Sequence, residues 1–159
     1  MSTWFRLLVI MLAAQSIAEA RLGETFEQCV TRYGPLIRQV GKPDNPQFIF
    51  EKDRITVGIN FLDGKAAQIS YSRARGAPIT ELEVQQLLEV NSNGSKWQYD
   101  EAESQRLRTS TYSKRECFKR DDGGAKAEHL VISQLGTHFL NITSSEYEKA
   151  IGSKNLQGF

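Results

Sequence analysis

The chain has 159 residues, and its 20 lysines and arginines against 19 aspartates and glutamates give a formal net charge of +1 at pH 7. Proteins that bind nucleic acid as their main partner need clustered basic side chains, so this balance argues against that class. The one locally basic run, 113–120, is followed at once by two aspartates. The length suits one domain with its own hydrophobic core.

Residues 1–20 have the three parts of a secretory signal peptide. A basic start precedes the apolar run 7–14, and an Ala-x-Ala sequence ending at Ala20 forms a small-residue cleavage site. The apolar run is shorter than the roughly 20 residues that a membrane-spanning helix needs. We therefore predict cleavage between Ala20 and Arg21 and a secreted or periplasmic mature protein without a transmembrane span.

The first part of the mature chain predicts a short helix followed by strands. Thr25 and Gln28 have the spacing of a capping box, in which each side chain bonds the other's backbone amide. Apolar residues then recur at helical spacing up to Tyr33, and glycine and proline follow. Alternation of apolar and polar residues predicts three strands, within 47–51, 54–61 and 65–71.

The turn between the last two of these strands is assigned from the faces of their side chains. A two-residue turn at Asp63 and Gly64 would set the apolar Ile59 opposite the polar Gln68. A three-residue turn that begins one residue earlier pairs Ile59 with Ala67 and keeps the apolar residues on one face. We expect the three-residue turn, with Gly64 in the left-handed conformation.

The helix-then-strands pattern occurs a second time. Thr80 and Glu83 form another capping-box spacing before an amphipathic segment. Strands are predicted within 96–99, 106–112, 116–120, 128–133 and 138–143, with a polar connection at 100–104. The sequence thus predicts an α+β fold, with short helices packed on an antiparallel sheet. The single domain, 21–147, consists of two similar halves (22–75 and 78–147), and residues 148–159 are expected to be a frayed tail.

The stretch Gly23–Pro35 resembles the signature of the BamE (SmpA/OmlA) family of small outer-membrane lipoproteins, with matches at Gly23, Thr25, Gln28, Gly34 and Pro35. The resemblance implies two helices on a three-stranded antiparallel sheet. Tandem copies of that unit are similar to the β-lactamase inhibitor protein architecture, in which a concave sheet grips an enzyme. The chain lacks the lipidated cysteine of the lipoproteins, so membrane anchoring is not implied. It also resembles small exported bacterial proteins of unassigned function.

Two cysteines, Cys29 and Cys117, are the candidates for a disulfide. An even cysteine count in an exported chain favours a bond, which would join the first predicted helix to a strand of the second half. The alternative is two buried free thiols that act as small apolar side chains. Cys29 as a nucleophile would need a lowered pKa and a nearby base, and its predicted neighbours on the helix are apolar.

The remaining chemistry-bearing residues form no recognisable catalytic, cofactor or metal motif. The two histidines, His129 and His138, are nine residues apart on different predicted strands, and no carboxylate spacing completes a metal site. We therefore assign no catalytic residue, no cofactor and no metal ligand.

The sequence favours a non-enzymatic binding protein that contacts another envelope or extracellular protein through its sheet face. Trp97, Tyr99 and Tyr112 are candidate aromatic residues of that face, although aromatic residues in strands are more often part of the core. The alternatives are a small exported hydrolase or thiol enzyme with an unrecognised site, and a structural component of the cell envelope.

Overall fold

A computed structural model describes residues 21–73, 77–108, 113–132 and 136–156. The predicted signal peptide, with Ala20 on its side of the cleavage site, and Tyr112 lie outside these ranges. The elements are, in chain order, α1 (Phe26–Tyr33), β1 (Arg38–Lys42), β2 (Asn45–Lys52), β3 (Ile55–Leu62), β4 (Lys65–Arg73), α2 (Glu81–Val90), β5 (Trp97–Tyr99), α3 (Glu101–Arg106), β6 (Ser113–Arg120), β7 (Ala125–Ile132), β8 (Thr137–Ser144) and α4 (Ser145–Leu156).

The eight strands form one antiparallel sheet in the order β1-β2-β3-β4-β8-β7-β6-β5. The strands β1–β4 form one antiparallel meander, and the strands β5–β8 form another. The last strands of the two meanders, β4 and β8, pair at the centre of the sheet. The prediction of an α+β fold with short helices on an antiparallel sheet, and with helix-then-strands occurring twice, is confirmed.

One face of the sheet, here called the helix face, carries the core. Val57, Ile59, Ile69 and Leu140 alternate onto this face and are almost fully buried. The apolar sides of α1 and α2 pack over them, and Phe26 of α1 meets three phenylalanine rings of the sheet, those of Phe48, Phe50 and Phe61. Burial of this apolar surface is what holds two helices that are too short to persist alone.

Both predicted capping boxes are present. The Thr25 side chain accepts a hydrogen bond from the backbone N–H of Gln28, and Gln28 accepts one from the backbone N–H of Thr25. Thr80 and Glu83 make the same pair of contacts at the start of α2. Each box satisfies two amides that have no partner within the helix.

The predicted register of the β3–β4 hairpin is wrong, although its faces are right. The turn has two residues, Asp63 and Gly64, both with positive φ, and Leu62 pairs with Lys65. A register shift between Asn60 and Phe61 then restores the faces, so that Ile59 pairs with Ile69 instead of Ala67. The extra residue that the sequence analysis assigns to the turn is instead a β-bulge within the strand pair.

Three elements differ from the sequence-based expectations. Strand β1 is not predicted from the sequence, because its five residues show no alternation of apolar and polar side chains, and all five are exposed. The predicted polar connection at 100–104 is instead the beginning of α3, and Arg106, the first residue of a predicted strand, ends that helix. Residues 145–156 form α4, where a frayed tail over 148–159 was expected.

We expect Gly64→Val to destabilise the protein by about 1–3 kcal/mol, the typical free energy of holding a non-glycine residue in a strained conformation. Gly64 has φ +74, and no atom lies within 4 Å of where a Cβ would stand. The effect is therefore conformational, since β-branched residues resist positive φ.

Urea unfolding of Gly64→Val and Gly64→Asn separates conformation from side-chain bulk. Asparagine tolerates positive φ, so Gly64→Asn should remain close to the wild type. An equal loss of unfolding free energy in both variants would contradict a conformational origin of the effect at Gly64.

Candidate binding surface

The face of the sheet opposite α1 and α2, here called the open face, is partly exposed. Strand alternation places on it polar and apolar side chains that are mostly half-buried: Thr56, Gln68, Ser70, Ser72, Arg115, Glu128, Leu130, Ile132, Phe139, Asn141 and Thr143. The helices α3 and α4 lie over part of it, so among the described residues much of the central strands has no covering layer.

The helices α3 and α4 flank a groove of about 610 Å³ on the open face. Its floor is formed by strands β4, β6, β7 and β8, and its walls by the two helices. The polar lining side chains are Gln68, Asp100, Glu103, Lys119, Lys126, Glu128, Asn141, Thr143, Tyr147 and Glu148. Apolar side chains, among them Leu107 and Ile151, also line the groove, so its surface is mixed.

Helix α3 is fixed to β6 by its first turn. The Asp100 side chain accepts a hydrogen bond from the Glu103 N–H (3.2 Å), as an N-cap does, and the backbone N–H of Asp100 donates to the carbonyl of Cys117 (2.8 Å). The Ser104 hydroxyl donates to the carbonyl of Asp100 (2.7 Å) and accepts from the Cys117 N–H (2.9 Å). The Asp100 pKa is lowered chiefly by the bond from the Glu103 amide and then by Lys119.

Helix α4 is held over the opposite side of the groove by Tyr147. Its hydroxyl donates to Oδ1 of Asn45 (2.7 Å), which also accepts from the Asn60 amide (3.3 Å). An ion pair between Lys126 of β7 and Glu148 (3.1 Å) lies beside it. The aromatic body and the polar tip of Tyr147 thus both contribute to docking the helix.

A second part of the open face is apolar. Leu130 and Phe139 are directly paired on β7 and β8, and Ile132 follows Leu130 on the same side of its strand. We call these three half-buried residues the apolar patch. Ser72 pairs with Phe139 on one side, and Arg115 with Leu130 on the other. An apolar centre with a polar rim is the anatomy of many protein–protein interfaces.

The structure places the two cysteines on opposite sides of the sheet. Cys29 lies fully buried in the core beneath α1, on the helix face, whereas Cys117 lies on the open face of β6 near α3. Both thiols are free and buried. The proposed disulfide is therefore not formed, because the sheet itself separates the two sulfur atoms. Burial raises the pKa of Cys29 to about 12, so its reactive thiolate form is scarce at neutral pH.

We expect two free thiols per chain in guanidinium chloride without reductant, and the same number after reduction. In the native protein both thiols should react slowly with a thiol reagent, because both are buried. Fewer than two thiols in the unreduced, denatured protein would show that the cysteines can approach each other and would overturn this placement.

Of the three predicted aromatic residues, the two that the structure describes, Trp97 and Tyr99, do not lie on the open face. Trp97 and Tyr99 lie on the helix-face side of β5, at the edge of the sheet. Trp97 packs against the core, and Tyr99 makes an edge-to-face contact with Phe118, with ring centroids 5.8 Å apart. The alternation of apolar and polar residues along a strand assigns side chains to one face or the other, but it does not show which face the helices cover. The apolar patch was not predicted from the sequence for the same reason.

The two histidines lie near each other on the helix face. Their ring centroids are 6.3 Å apart, and Nδ1 of the buried His129 lies 3.1 Å from a carboxylate oxygen of Glu116. The same Glu116 carboxylate forms an ion pair with Lys114. A separate ion pair joins Arg73 of β4 to Glu83 of α2. Burial, and then the charge of His129, lower the pKa of His138 below 6.5.

We expect the protein to lose stability as the pH falls below about 6.5, with His138 contributing to the loss. In that range the unfolded chain takes up a proton at His138 before the folded protein does, so unfolding becomes more favourable. His138→Gln should make the change in unfolding free energy between pH 7 and pH 5 smaller. Urea titrations at both pH values measure it, and an unchanged pH dependence in the variant would contradict the prediction.

Arg120, the last residue of the basic run 113–120, is a buried charge. Its guanidinium donates two hydrogen bonds of 2.8 Å to the Asp122 carboxylate and one to the carbonyl of Asn91. These bonds lower the pKa of Asp122 to about 2. Together they connect the β6–β7 turn to the end of α2. Arg120 also borders a second cavity of about 610 Å³, which includes Arg21 and Lys65.

Within the described ranges, no three histidine, cysteine, aspartate or glutamate side chains are grouped so that they could hold a metal ion. No helix of the described part of the chain is both long enough and apolar enough to cross a membrane.

No protein-family model and no curated protein sequence matches the chain. Among solved structures, the chain is similar to a cysteine-rich secretory protein from Staphylococcus aureus, with 10% sequence identity and a TM-score of 0.41. The match covers 79% of this chain and 45% of the staphylococcal one.

The resemblance to the BamE family, and with it the tandem arrangement of β-lactamase inhibitor protein, is wrong. The comparisons with protein families and curated sequences give no support for it. The fold also differs, since the described residues before α2 form four strands and one helix, not two helices on three strands. The short Gly-x-Thr-x-x-Gln stretch encodes a helix cap, which many unrelated helices share.

Proposed function

We propose that this chain is an exported, non-enzymatic protein that binds another envelope or extracellular protein through the open face of its sheet. The observation that carries the proposal is the apolar patch of Leu130, Ile132 and Phe139, which is half-buried on the open face beside Ser72 and Arg115 and lies on two of the strands that floor the α3–α4 groove. Apolar anchors within a polar rim are where binding energy concentrates in protein interfaces.

The chemistry of the remaining groups supports binding over thiol catalysis. A nucleophilic cysteine needs a low pKa and some exposure, whereas Cys29 is fully buried with a pKa raised to about 12. The pKa of Cys117 is also raised by burial. On the open face, Asp100 and Ser104 are engaged in holding α3, and Tyr147 in holding α4.

Export is part of the proposal, and it is supported by the signal-peptide pattern of residues 1–20. The described contacts of the segment after Ala20 also suit a chain that begins at Arg21. The N–H of Gly23 donates to the carbonyl of Ala66 (2.8 Å), and the N–H of Ala66 donates to the carbonyl of Glu24 (2.8 Å). These bonds dock the first described residues against β4.

The test uses mature protein, beginning at Arg21, as bait in envelope extracts and culture fluid of its own host. We expect a captured protein whose affinity for the bait falls at least roughly tenfold in Phe139→Asp, about 1.4 kcal/mol, because a buried carboxylate would then face the partner. The measurement is the dissociation constant for the purified partner.

Leu82→Asp is the matched control. Leu82 lies on α2, on the other side of the sheet, and is 64% exposed, so the same chemical change there should leave the affinity unchanged. Thermal unfolding of both variants confirms that they are folded. Equal affinity of Phe139→Asp and the wild type would refute docking at the apolar patch.

A further inference from the structure

One edge of the sheet is open and unusually apolar. Strand β1 lies at that edge, and all of its residues are exposed. Leu36, Ile37 and Val40 are 37%, 55% and 37% exposed, and they make up most of the exposed large hydrophobic side chains in the described part of the chain. The others, Leu82 and Tyr99, lie on α2 and β5. Exposed apolar surface is therefore concentrated in β1 and the two residues that precede it.

The two edges of the sheet differ. The opposite edge strand, β5, has only three residues, and the chain turns from it directly into α3, which packs on β6. Short edge strands and covering helices are ways in which proteins prevent further strand pairing. Strand β1 is longer, and no described element covers its outer side. Its outward-facing backbone groups can therefore pair with another extended chain.

The charges of β1 select among possible partners. Arg38 and Lys42 flank Val40 at two-residue spacing, so that all three side chains belong to the same side of the strand. Antiparallel pairing of two copies about Val40 would set Arg38 of each copy against Lys42 of the other. Like charges directly opposite each other destabilise a strand pair. A strand with carboxylates in those positions would instead be attracted.

We infer that β1 accepts an extended segment of an acidic partner protein as a ninth strand of the sheet. The segment has an apolar residue that pairs with Val40 and a carboxylate two residues away on each side, opposite Arg38 and Lys42. Main-chain hydrogen bonds supply affinity in this mode of recognition, and alternate side chains supply specificity. The strands β2, β3 and β4 lie between this edge and the apolar patch, and the site does not depend on that patch.

The probe is the synthetic peptide TETVTET, with TKTVTKT as its charge-reversed control. We expect the acidic peptide to shift the backbone amide resonances of residues 37–42 and to bind at least roughly tenfold more tightly than the basic one. The double variant Arg38→Glu/Lys42→Glu should reverse this preference. The variant Lys96→Glu/Lys149→Glu makes the same change in net charge at exposed positions outside β1, and it should keep the preference of the wild type.

The inference is overturned if neither peptide shifts the resonances of residues 37–42 at millimolar concentration, or if the β1 double variant keeps the wild-type preference. It is also overturned if sedimentation shows that the protein dimerises and that the double variant does not, because β1 would then pair with a second copy. Phe139→Asp should leave peptide binding unchanged. A failure of the open-face proposal is therefore distinguishable from a failure at this edge.

Discussion

The pairing of β4 with β8 is the contact on which the rest of the structure depends. It joins the last strand of each half and so converts two four-stranded sets into one sheet. The paired side chains on the helix face, Ile69 with Ile142 and Tyr71 with Leu140, are almost fully buried and form the middle of the core. Because the two strands are more than 60 residues apart in the chain, neither half can complete this core alone.

A continuous sheet of this size divides the protein into two chemically different sides. The helix face collects the phenylalanines and aliphatic residues, and α1 and α2 cover it. The open face is mixed, with serine, asparagine and threonine beside the apolar patch, and hydrogen bonds of Ser104 and Tyr147 help to hold its two helices. The separation of Cys29 from Cys117 follows from the same division. Cys29 packs on the helix face and Cys117 on the open face, so the sheet lies between them.

The sequence predicted best what depends on local, repeated signals. The capping boxes at Thr25 and Thr80 fixed the starts of both core helices, and alternation assigned the faces of β3 and β4 correctly. It did not determine the register, because a bulge near Ala67 and an additional turn residue preserve the same faces. The strand β1 and the helix α4 lack strong apolar periodicity, so no pattern marked them. For α3 a signal was present, since Asp100 and Glu103 are spaced as an N-cap and its N3 residue.

The candidate site was harder to predict than the fold, since its position depends on long-range pairing. Leu130 and Phe139 become neighbours only when β7 and β8 pair, and their exposure depends on which face the helices occupy. The sequence does not show that Ile37 and Val40 lie at a sheet edge, because the position of β1 in the sheet depends on the pairing of the other strands. Catalysis requires polar groups that converge on one reacting atom. A pleated sheet with alternating short side chains instead distributes its polar groups over an area, and its outer strand offers a row of backbone groups. Both features support the proposal that the chain binds a partner protein.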